Sequence, residues 1–164
     1  MAKKIDPLSK KLYGAVTAIL TVTDVKAAVN FYRKAFGFTS RGIMNGPDKK
    51  PVHAELRLRD TTVMLSPEMP QRGARSAKTI GASPVTLYLP VEKVDQVVAK
   101  AVKLGATLQG PVMDMFWGAR VGTVVDPDGN PWMVATHISE PTPKEMNKKM
   151  KEMMGQAAGT SSGS

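Results

Sequence analysis

The chain has 164 residues and a formal net charge of +9, with 42% hydrophobic and 23% charged residues. This length suits one well-packed domain or two small modules, and no apolar run approaches the roughly 18 residues that span a membrane. The absence of cysteine excludes disulfides, thiolate metal sites and thiol catalysis, and it indicates a cytoplasmic protein. No apolar segment follows the basic N-terminal residues, so we expect no secretory signal.

The positive charge is concentrated at the two ends, in KKIDPLSKK and PKEMNKKMKEM. The middle of the chain has no recognition-helix motif and no zinc-finger spacing, and its aromatic residues do not alternate with lysines. We therefore interpret the charge as solvated and expect neither a nucleic-acid partner nor a membrane partner.

The first half of the chain predicts a strand, a helix and three more strands. The segment GAVTAILTV (residues 14–22) is rich in β-branched residues and ends before Asp24. Apolar residues then recur at helical spacing in DVKAAVNFYRKAFGF, and Gly37 follows the last of them as a stop signal. FTSRGIMN, VHAELRLR and TTVMLSP are predicted strands, and the last two meet in a hairpin at Asp60.

The same order returns after a segment rich in Pro, Gly and Ser, which we interpret as a linker at residues 68–82. SPVTLYLPV is a predicted strand, EKVDQVVAKAVKLGA a helix, and TLQGPVM, ARVGTVVD and PWMVATH three strands. One offset aligns the halves, because Thr17 maps onto Thr86 (86 − 17 = 69) and Met64 onto Met133 (133 − 64 = 69). The sequence thus predicts a duplicated βαβββ module, at residues 14–67 and 83–138.

Outside the modules we expect a basic arm at residues 1–13, a helix at 139–155 and a disordered tail at 156–164. Thr142 is the candidate N-cap of this helix, and Pro143 suits its first turn. The methionines of the helix form a stripe, which we interpret as a surface that docks on the body or on a partner subunit.

Two tandem βαβββ units, with AVNFYRKAFGF in the first helix and DPDGNPW before the last strand, resemble the vicinal oxygen chelate superfamily. That superfamily includes glyoxalase I, extradiol dioxygenases, fosfomycin-resistance enzymes and bleomycin-resistance proteins. HAELRLRD, MLSPE, GASPVTLYLPVE and DMFWGARVGTVVDPDGNPW are similar to its phosphonate-operon B-type, glyoxalase-like branch. The resemblance implies an α+β fold in which two tandem βαβββ modules form a cup-shaped mixed sheet with helices on the outer face, plus a C-terminal helix. It also implies that modules pair, within one chain or between two, and we expect a homodimer.

In metal-dependent members, side chains from the first and fourth strands of each module hold a divalent metal, usually as His or Gln with Glu. The resemblance carries these positions onto Thr17, Met64, Thr86 and Met133. A thioether is a soft ligand that suits Cu(I), and a neutral hydroxyl is a poor ligand for Zn²⁺, Ni²⁺, Mn²⁺ or Fe²⁺. We therefore predict no metal at the family position and no cofactor, while a divalent metal held by other residues stays open.

Strand alternation predicts which side chains line the cup. The apolar residues of VHAELRLR are expected to face the helices, which leaves His53, Glu55 and Arg57 on the concave face; His137 is expected there with Met133. Three interpretations are open. The row is a solvated polar surface, or Arg57 holds an anion with hydrogen bonds from His53 and Glu55, or His53, Glu55 and His137 perform acid–base chemistry or hold a shifted metal.

The loop DMFWGAR adds two further candidates. Trp117 either fills a gap in the core or forms a wall of the cup on which a planar ligand stacks. Arg120 is predicted to face the cup, where it could neutralise an acidic ligand.

These features favour a small-molecule binder similar to the bleomycin-resistance type, which takes an aromatic or anionic ligand without the family metal. The predicted ligand-binding residues are His53, Glu55, Arg57, Met64, Trp117, Arg120, Met133 and His137. The alternative is a glyoxalase- or dioxygenase-like enzyme, metal-dependent or acid–base, that uses His53, Glu55 and His137. A third hypothesis is an interaction module that acts through the basic, Met-rich C-terminal helix.

Overall fold

The computed structural model describes residue 6 and residues 12–159. The first half contains β1 (Ala18–Val22), α1 (Val25–Phe36), β2 (Thr39–Asn45), β3 (Pro51–Leu58) and β4 (Thr61–Pro67). A 3-10 turn (Pro70–Arg72) and the short helix α2 (Ala77–Ile80) occupy the predicted linker. The second half contains β5 (Leu87–Pro90), α3 (Val94–Lys103), β6 (Thr107–Leu108), β7 (Met113–Asp114), β8 (Ala119–Val125) and β9 (Pro131–His137), followed by α4 (Pro143–Gly159). Most of the predicted basic arm and the end of the predicted tail lie outside these described residues.

Each half forms its own mixed sheet. The first sheet has the order β1-β4-β3-β2 and the second the order β5-β9-β8-β6, with β7 paired to β8. β1 is parallel to β4 and β5 is parallel to β9, whereas the remaining pairs are antiparallel. Two mixed sheets with helices and a C-terminal helix confirm the predicted α+β fold class.

The start and the end of α1 are set by particular residues at its two ends. The Asp24 carboxylate accepts a hydrogen bond from the Ala27 backbone N–H at 3.0 Å, which satisfies one of the free donors of the first turn. Gly37, at φ 80°, ends the helix in the left-handed conformation, as the sequence predicted. Asp24 and Gly37 therefore define the length of the helix that packs against the sheet.

The helix-facing sides of both sheets share one hydrophobic core. Leu65 of the first sheet and Val134 of the second are both fully buried in it. Rings of α1 contact β9 of the other half, since the Trp132 ring centroid lies 5.4 Å from that of Tyr32 and 4.8 Å from that of Phe36. The buried faces of α1 and α3 thus belong to this core. We call the side of each sheet that is turned away from the helices its open face.

The DPDGN segment joins the two halves. Asp126 is buried and accepts hydrogen bonds from the Tyr32 hydroxyl of α1 and from Trp132 Nε1. Burial and the neighbouring Asp126 carboxylate raise the pKa of the Tyr32 hydroxyl well above its ordinary value. Asp128 Oδ1 accepts from the backbone N–H and the hydroxyl of Thr23, both at 2.7 Å. Carboxylates of the second half therefore anchor the loop and helix of the first.

The C-terminal helix starts with a capping box. The Thr142 hydroxyl accepts from the Glu145 backbone N–H, and the Glu145 carboxylate accepts in return from the Thr142 N–H at 2.8 Å. Thr142 is therefore the N-cap that the sequence predicted. No described side chain of α4 belongs to the shared core. Within the described part of the chain, no helix is long and apolar enough to cross a membrane.

Candidate functional site

β3 gives the open face of the first sheet a row of polar side chains. On β3, Ala54 and Leu56 are buried in the core, so the alternating His53, Glu55 and Arg57 lie on the open face, as the strand pattern predicted. A cavity of about 400 Å³ lies on this side, lined by residues of β2 and β3 that include His53 and Glu55. The cavity therefore combines these polar groups with the apolar side chains of Ile43 and Met44.

Glu55 is the centre of the polar row. Its carboxylate lies 3.7 Å from His53 Nε2 and 3.7 Å from Arg41 Nη1, and it accepts a hydrogen bond from the Tyr13 hydroxyl at 2.6 Å. This hydrogen bond is the main reason that the pKa of Tyr13 is raised. A carboxylate with an imidazole, a guanidinium and a phenol around it can orient a ligand or move a proton.

Arg41, Leu12 and Tyr13 are site residues that sequence reasoning missed. Arg41 reaches the open face because the pairing of β2 with β3 shifts register between Ser40 and Gly42. Leu12 and Tyr13 precede β1 in irregular backbone, where no periodic pattern marks the side that a residue contacts. The Gly in TSRGIMN was the only sequence signal of the irregularity in β2.

The open face of the second sheet is apolar. Met115, Trp117 and Met133 pack over the buried Ala119, Val121 and Ala135, apart from the shared core. Trp117 is partly buried, and its ring meets that of Phe116 edge-on at a centroid distance of 4.8 Å. The indole therefore packs on the small apolar cluster of the open face and does not fill the core between the sheets.

Gly118 fixes the end of the loop that carries Trp117. It adopts φ 87°, and its carbonyl oxygen accepts from the backbone N–H groups of Ile138 and Ser139. A Cβ at this position would lie 2.0 Å from the Ser139 carbonyl oxygen, so only glycine fits this approach. The loop that carries Phe116 and Trp117 is thus hydrogen-bonded to the segment that follows β9.

The prediction that Arg120 faces the cup is wrong. Arg120 pairs in register with Thr136, on the helix-facing side of β8. Its Nε and Nη2 donate to the two carboxylate oxygens of Asp95 on α3 at 2.8 and 2.9 Å, and Nη1 donates to Asp114 at 2.8 Å. Two carboxylates therefore satisfy this guanidinium on the opposite side of the sheet from Met133.

We expect Arg120→Met to raise the pKa of Asp95, because the hydrogen bond from Arg120 is the main cause of its lowered value. The folded-state pKa lies below the unfolded one, so this contribution to stability is present above the unfolded pKa and is lost as pH falls through the folded pKa. Carboxyl NMR titration of Asp95 measures the change. Arg72→Met, which removes an exposed guanidinium elsewhere, is the matched control; an unchanged Asp95 pKa in Arg120→Met would contradict the pairing.

The four positions of the family metal site do not fit a divalent metal. Met64 lies opposite Ile19 on the first open face, and Met133 lies opposite Tyr88 on the second. The Thr17 hydroxyl oxygen is buried and has no hydrogen-bond partner among the described residues, and a neutral hydroxyl is a poor metal ligand. Two thioethers and two hydroxyls are an unsuitable ligand set for the divalent metals of this fold.

The chain does not bring His137 to His53 and Glu55. His137 lies at the end of β9 in the second sheet, with its side chain 67% exposed and Nε2 3.6 Å from Glu140. Among the described residues, no three His, Asp or Glu side chains are grouped so that they could hold a metal ion. The acid–base pair that remains within one chain is His53 with Glu55.

Comparison with known proteins identifies the family. A family model described as the glyoxalase/bleomycin resistance protein/dioxygenase superfamily matches residues 14–134. An uncharacterised protein of Mycobacterium tuberculosis (strain H37Rv) is 35% identical over 148 residues, which cover 88% of this chain and 87% of that protein. An uncharacterised protein of Mycobacterium bovis is 37% identical over 139 residues, which cover 83% and 91%.

Solved structures show the same fold. The X-ray structure of a gene product from Arabidopsis thaliana superposes with a TM-score of 0.62 at 28% identity, covering 76% of this chain and 99% of that one. The crystal structure of TioX from Micromonospora sp. ML1 superposes with a TM-score of 0.60 at 24% identity, also covering 76% and 99%. The chain belongs to the glyoxalase/bleomycin resistance protein/dioxygenase superfamily.

Proposed function

We propose that this protein binds a small aromatic or anionic molecule on its open faces, without the metal that other members of the superfamily hold there. The observation that carries the proposal is the apolar wall of Trp117 and Met115 beside Met133, at a family metal position that offers no suitable ligand. Within the superfamily we place the chain in the phosphonate-operon B-type, glyoxalase-like branch, on the strength of strings such as GASPVTLYLPVE.

The two open faces offer complementary chemistry. The second sheet presents the exposed part of an indole and two thioethers, which suit the face of a planar ring. The first sheet presents Arg57 and, beside Glu55, Arg41, and these guanidinium groups suit an acidic group and its hydrogen bonds. A ligand that joins a ring to an acidic group would use both surfaces.

A homodimer is the proposed arrangement that brings the two faces together. Ile19 and Tyr88 occupy equivalent positions of the two halves (19 + 69 = 88), and they are 62% and 56% exposed although both are large and apolar. β1 and β5, which carry them, are edge strands, and a cavity of about 730 Å³ lies between them. In this dimer the second sheet of one copy would lie against the first sheet of the other. The contact would cover Ile19 and Tyr88 and would join the exposed edge strands β1 and β5 of the two copies.

We expect aromatic carboxylates and phosphonates such as 1-naphthoate and phenylphosphonate to quench the tryptophan emission of the protein through Trp117. Trp132 is buried in the core, so Trp117→Leu should remove the quenching and weaken binding, measured by calorimetry, by about tenfold or more. Phe116→Leu, which removes the neighbouring ring, is the matched control. Quenching that survives in Trp117→Leu would contradict the proposal.

Metal analysis separates the proposal from the enzymatic alternative. That alternative needs a metal, or acid–base chemistry, at His53, Glu55 and His137, of which one chain joins only the first two. We expect no stoichiometric metal after purification and after incubation with Zn²⁺, Ni²⁺, Mn²⁺ or Fe²⁺. Stoichiometric metal that is lost in His53→Ala or His137→Ala would overturn the metal-independent function.

A further inference from the structure

Three hydrogen-bond donors from three neighbouring strands converge on one atom, the backbone carbonyl oxygen of Leu12. The Thr62 hydroxyl of β4 lies 2.7 Å from it, Arg57 Nη1 of β3 lies 3.0 Å from it, and Arg41 Nη1 of β2 lies 3.2 Å from it. Thr62 is almost completely buried although it lies on the open face. The segment before β1 therefore covers these three donors.

Among the described residues, Glu55 is the carboxylate that lies beside this positive charge. Arg57 has no carboxylate partner among the described residues; its further acceptors are the Thr62 hydroxyl and a backbone carbonyl oxygen. Arg41 lies 3.7 Å from Glu55, whose carboxylate also accepts from Tyr13. The Leu12 carbonyl oxygen carries only partial charge, whereas an oxyanion in its place would add attraction between full opposite charges and could accept two parallel hydrogen bonds from one guanidinium.

We propose that Arg41, Arg57 and Thr62 form a subsite for an oxyanionic group of the ligand, a carboxylate, phosphonate or phosphate, and that the Leu12 carbonyl oxygen occupies this subsite until the ligand displaces it. The inference rests on the proposed function because it uses the same open face. Displacement exchanges a neutral acceptor for a charged one and separates the Tyr13 hydroxyl from Glu55. Residues 12 and 13 belong to no helix or strand and lie outside the core, so the exchange leaves the sheet intact.

Loosening this segment in the full-length chain tests the exchange. The double variant Leu12→Gly/Tyr13→Gly removes the hydrogen bond to Glu55 and makes the segment costlier to order, so the ligand competes with a weaker occupant. By calorimetry with benzoate, phenylphosphonate and inorganic phosphate, we expect about tenfold tighter binding of at least one anion than in the unaltered chain. Tyr13→Phe alone should tighten binding about fivefold, the value of one lost hydrogen bond.

Arg57→Met tests the subsite itself. Added to the double variant, it should abolish the gain in affinity, whereas Arg72→Met, at an exposed arginine of the 3-10 turn, should preserve it. Circular dichroism of each variant checks that the fold is retained. Phosphate binding without benzoate binding would assign the subsite to phosphate-type groups, and the reverse would assign it to carboxylates; either supports the subsite.

Two results would overturn the inference. One is equal affinity for every anion in the unaltered, Tyr13→Phe and double-variant proteins; the other is anion binding that Arg57→Met leaves unchanged. If aromatic acids still quench Trp117 in either case, the proposed function stands and only the subsite and its occupant are wrong. Phosphate that binds with the expected dependence on Arg57, while no aromatic compound affects Trp117, would contradict the aromatic site and support the subsite.

Discussion

Asp126→Ala is expected to lower the free energy of unfolding by about 4 kcal/mol, and the thermal midpoint by about 10 °C. The carboxylate is buried, and its removal leaves five donor groups without their acceptor. These donors are the Tyr32 hydroxyl, the Asp128 N–H, the Asn130 N–H, the Asn130 Nδ2 and the Trp132 Nε1. Urea denaturation followed by circular dichroism measures the loss.

Asp60→Ala is the matched control for this change. Asp60 is exposed in the hairpin turn and accepts a side-chain hydrogen bond from Thr61, so its loss should cost about 0.5 kcal/mol. Tyr32→Phe should fall between the two, because it removes a single donor and keeps the ring. A cost for Asp126→Ala no larger than that of Asp60→Ala would show that the DPDGN segment does not hold the halves together.

Ile19→Glu combined with Tyr88→Glu is expected to convert the proposed dimer to a monomer, with an increase of at least 100-fold in the dimer dissociation constant. Both side chains are more than half exposed in the single chain, so the fold should survive. In the proposed dimer both are covered, and burying an unpaired carboxylate there is strongly unfavourable. Analytical ultracentrifugation across a range of concentrations measures the change.

Ile80→Glu is the control for the dimer test, because Ile80 is also 62% exposed but belongs to α2 and not to a strand of either sheet. It should leave the association unchanged. A monomeric unaltered protein, or a double variant that still forms the dimer, would contradict the pairing of open faces between two copies. Binding of aromatic acids should weaken together with the loss of the dimer.

The element order and the fold class could be predicted because each half repeats a strand period of 2 and a helix period of 3.6 with clear stops. The facing of β3 could be predicted for a related reason. Ala54 and Leu56 are apolar while His53, Glu55 and Arg57 are polar, so one face is plainly distinct from the other. The glycines and the DPDGN turn marked the boundaries between elements.

The sequence did not show in the same way which side chains of β8 face the helices and which lie on the open face. Val121 is buried on the open face by Met115 and Trp117, while Val124 is buried in the shared core. A strand that is covered on both sides shows no alternation of apolar and polar residues. The sequence therefore did not show which side of β8 faces the helices, and the orientation predicted for Arg120 was wrong. The register with β9 decides the facing, and register is a property of the pairing between strands.

The hydrogen bonds to the Leu12 carbonyl oxygen could not be predicted from the sequence, for a different reason. Its acceptor is a backbone carbonyl, which every residue has, so residue type gives no information about it. Arg41 joins the same contact because of a register shift inside β2. Local irregularities of backbone, more than side-chain chemistry, define this part of the candidate site.

The shared core has a consequence for how the halves depend on each other. Residues 14–67 alone would leave the rings of Tyr32 and Phe36 without their contact to Trp132 and would leave the Tyr32 hydroxyl without its acceptor. The second half alone would leave a buried carboxylate without that donor. Each half therefore depends on the other for buried contacts, and we expect neither half to fold stably when it is expressed alone.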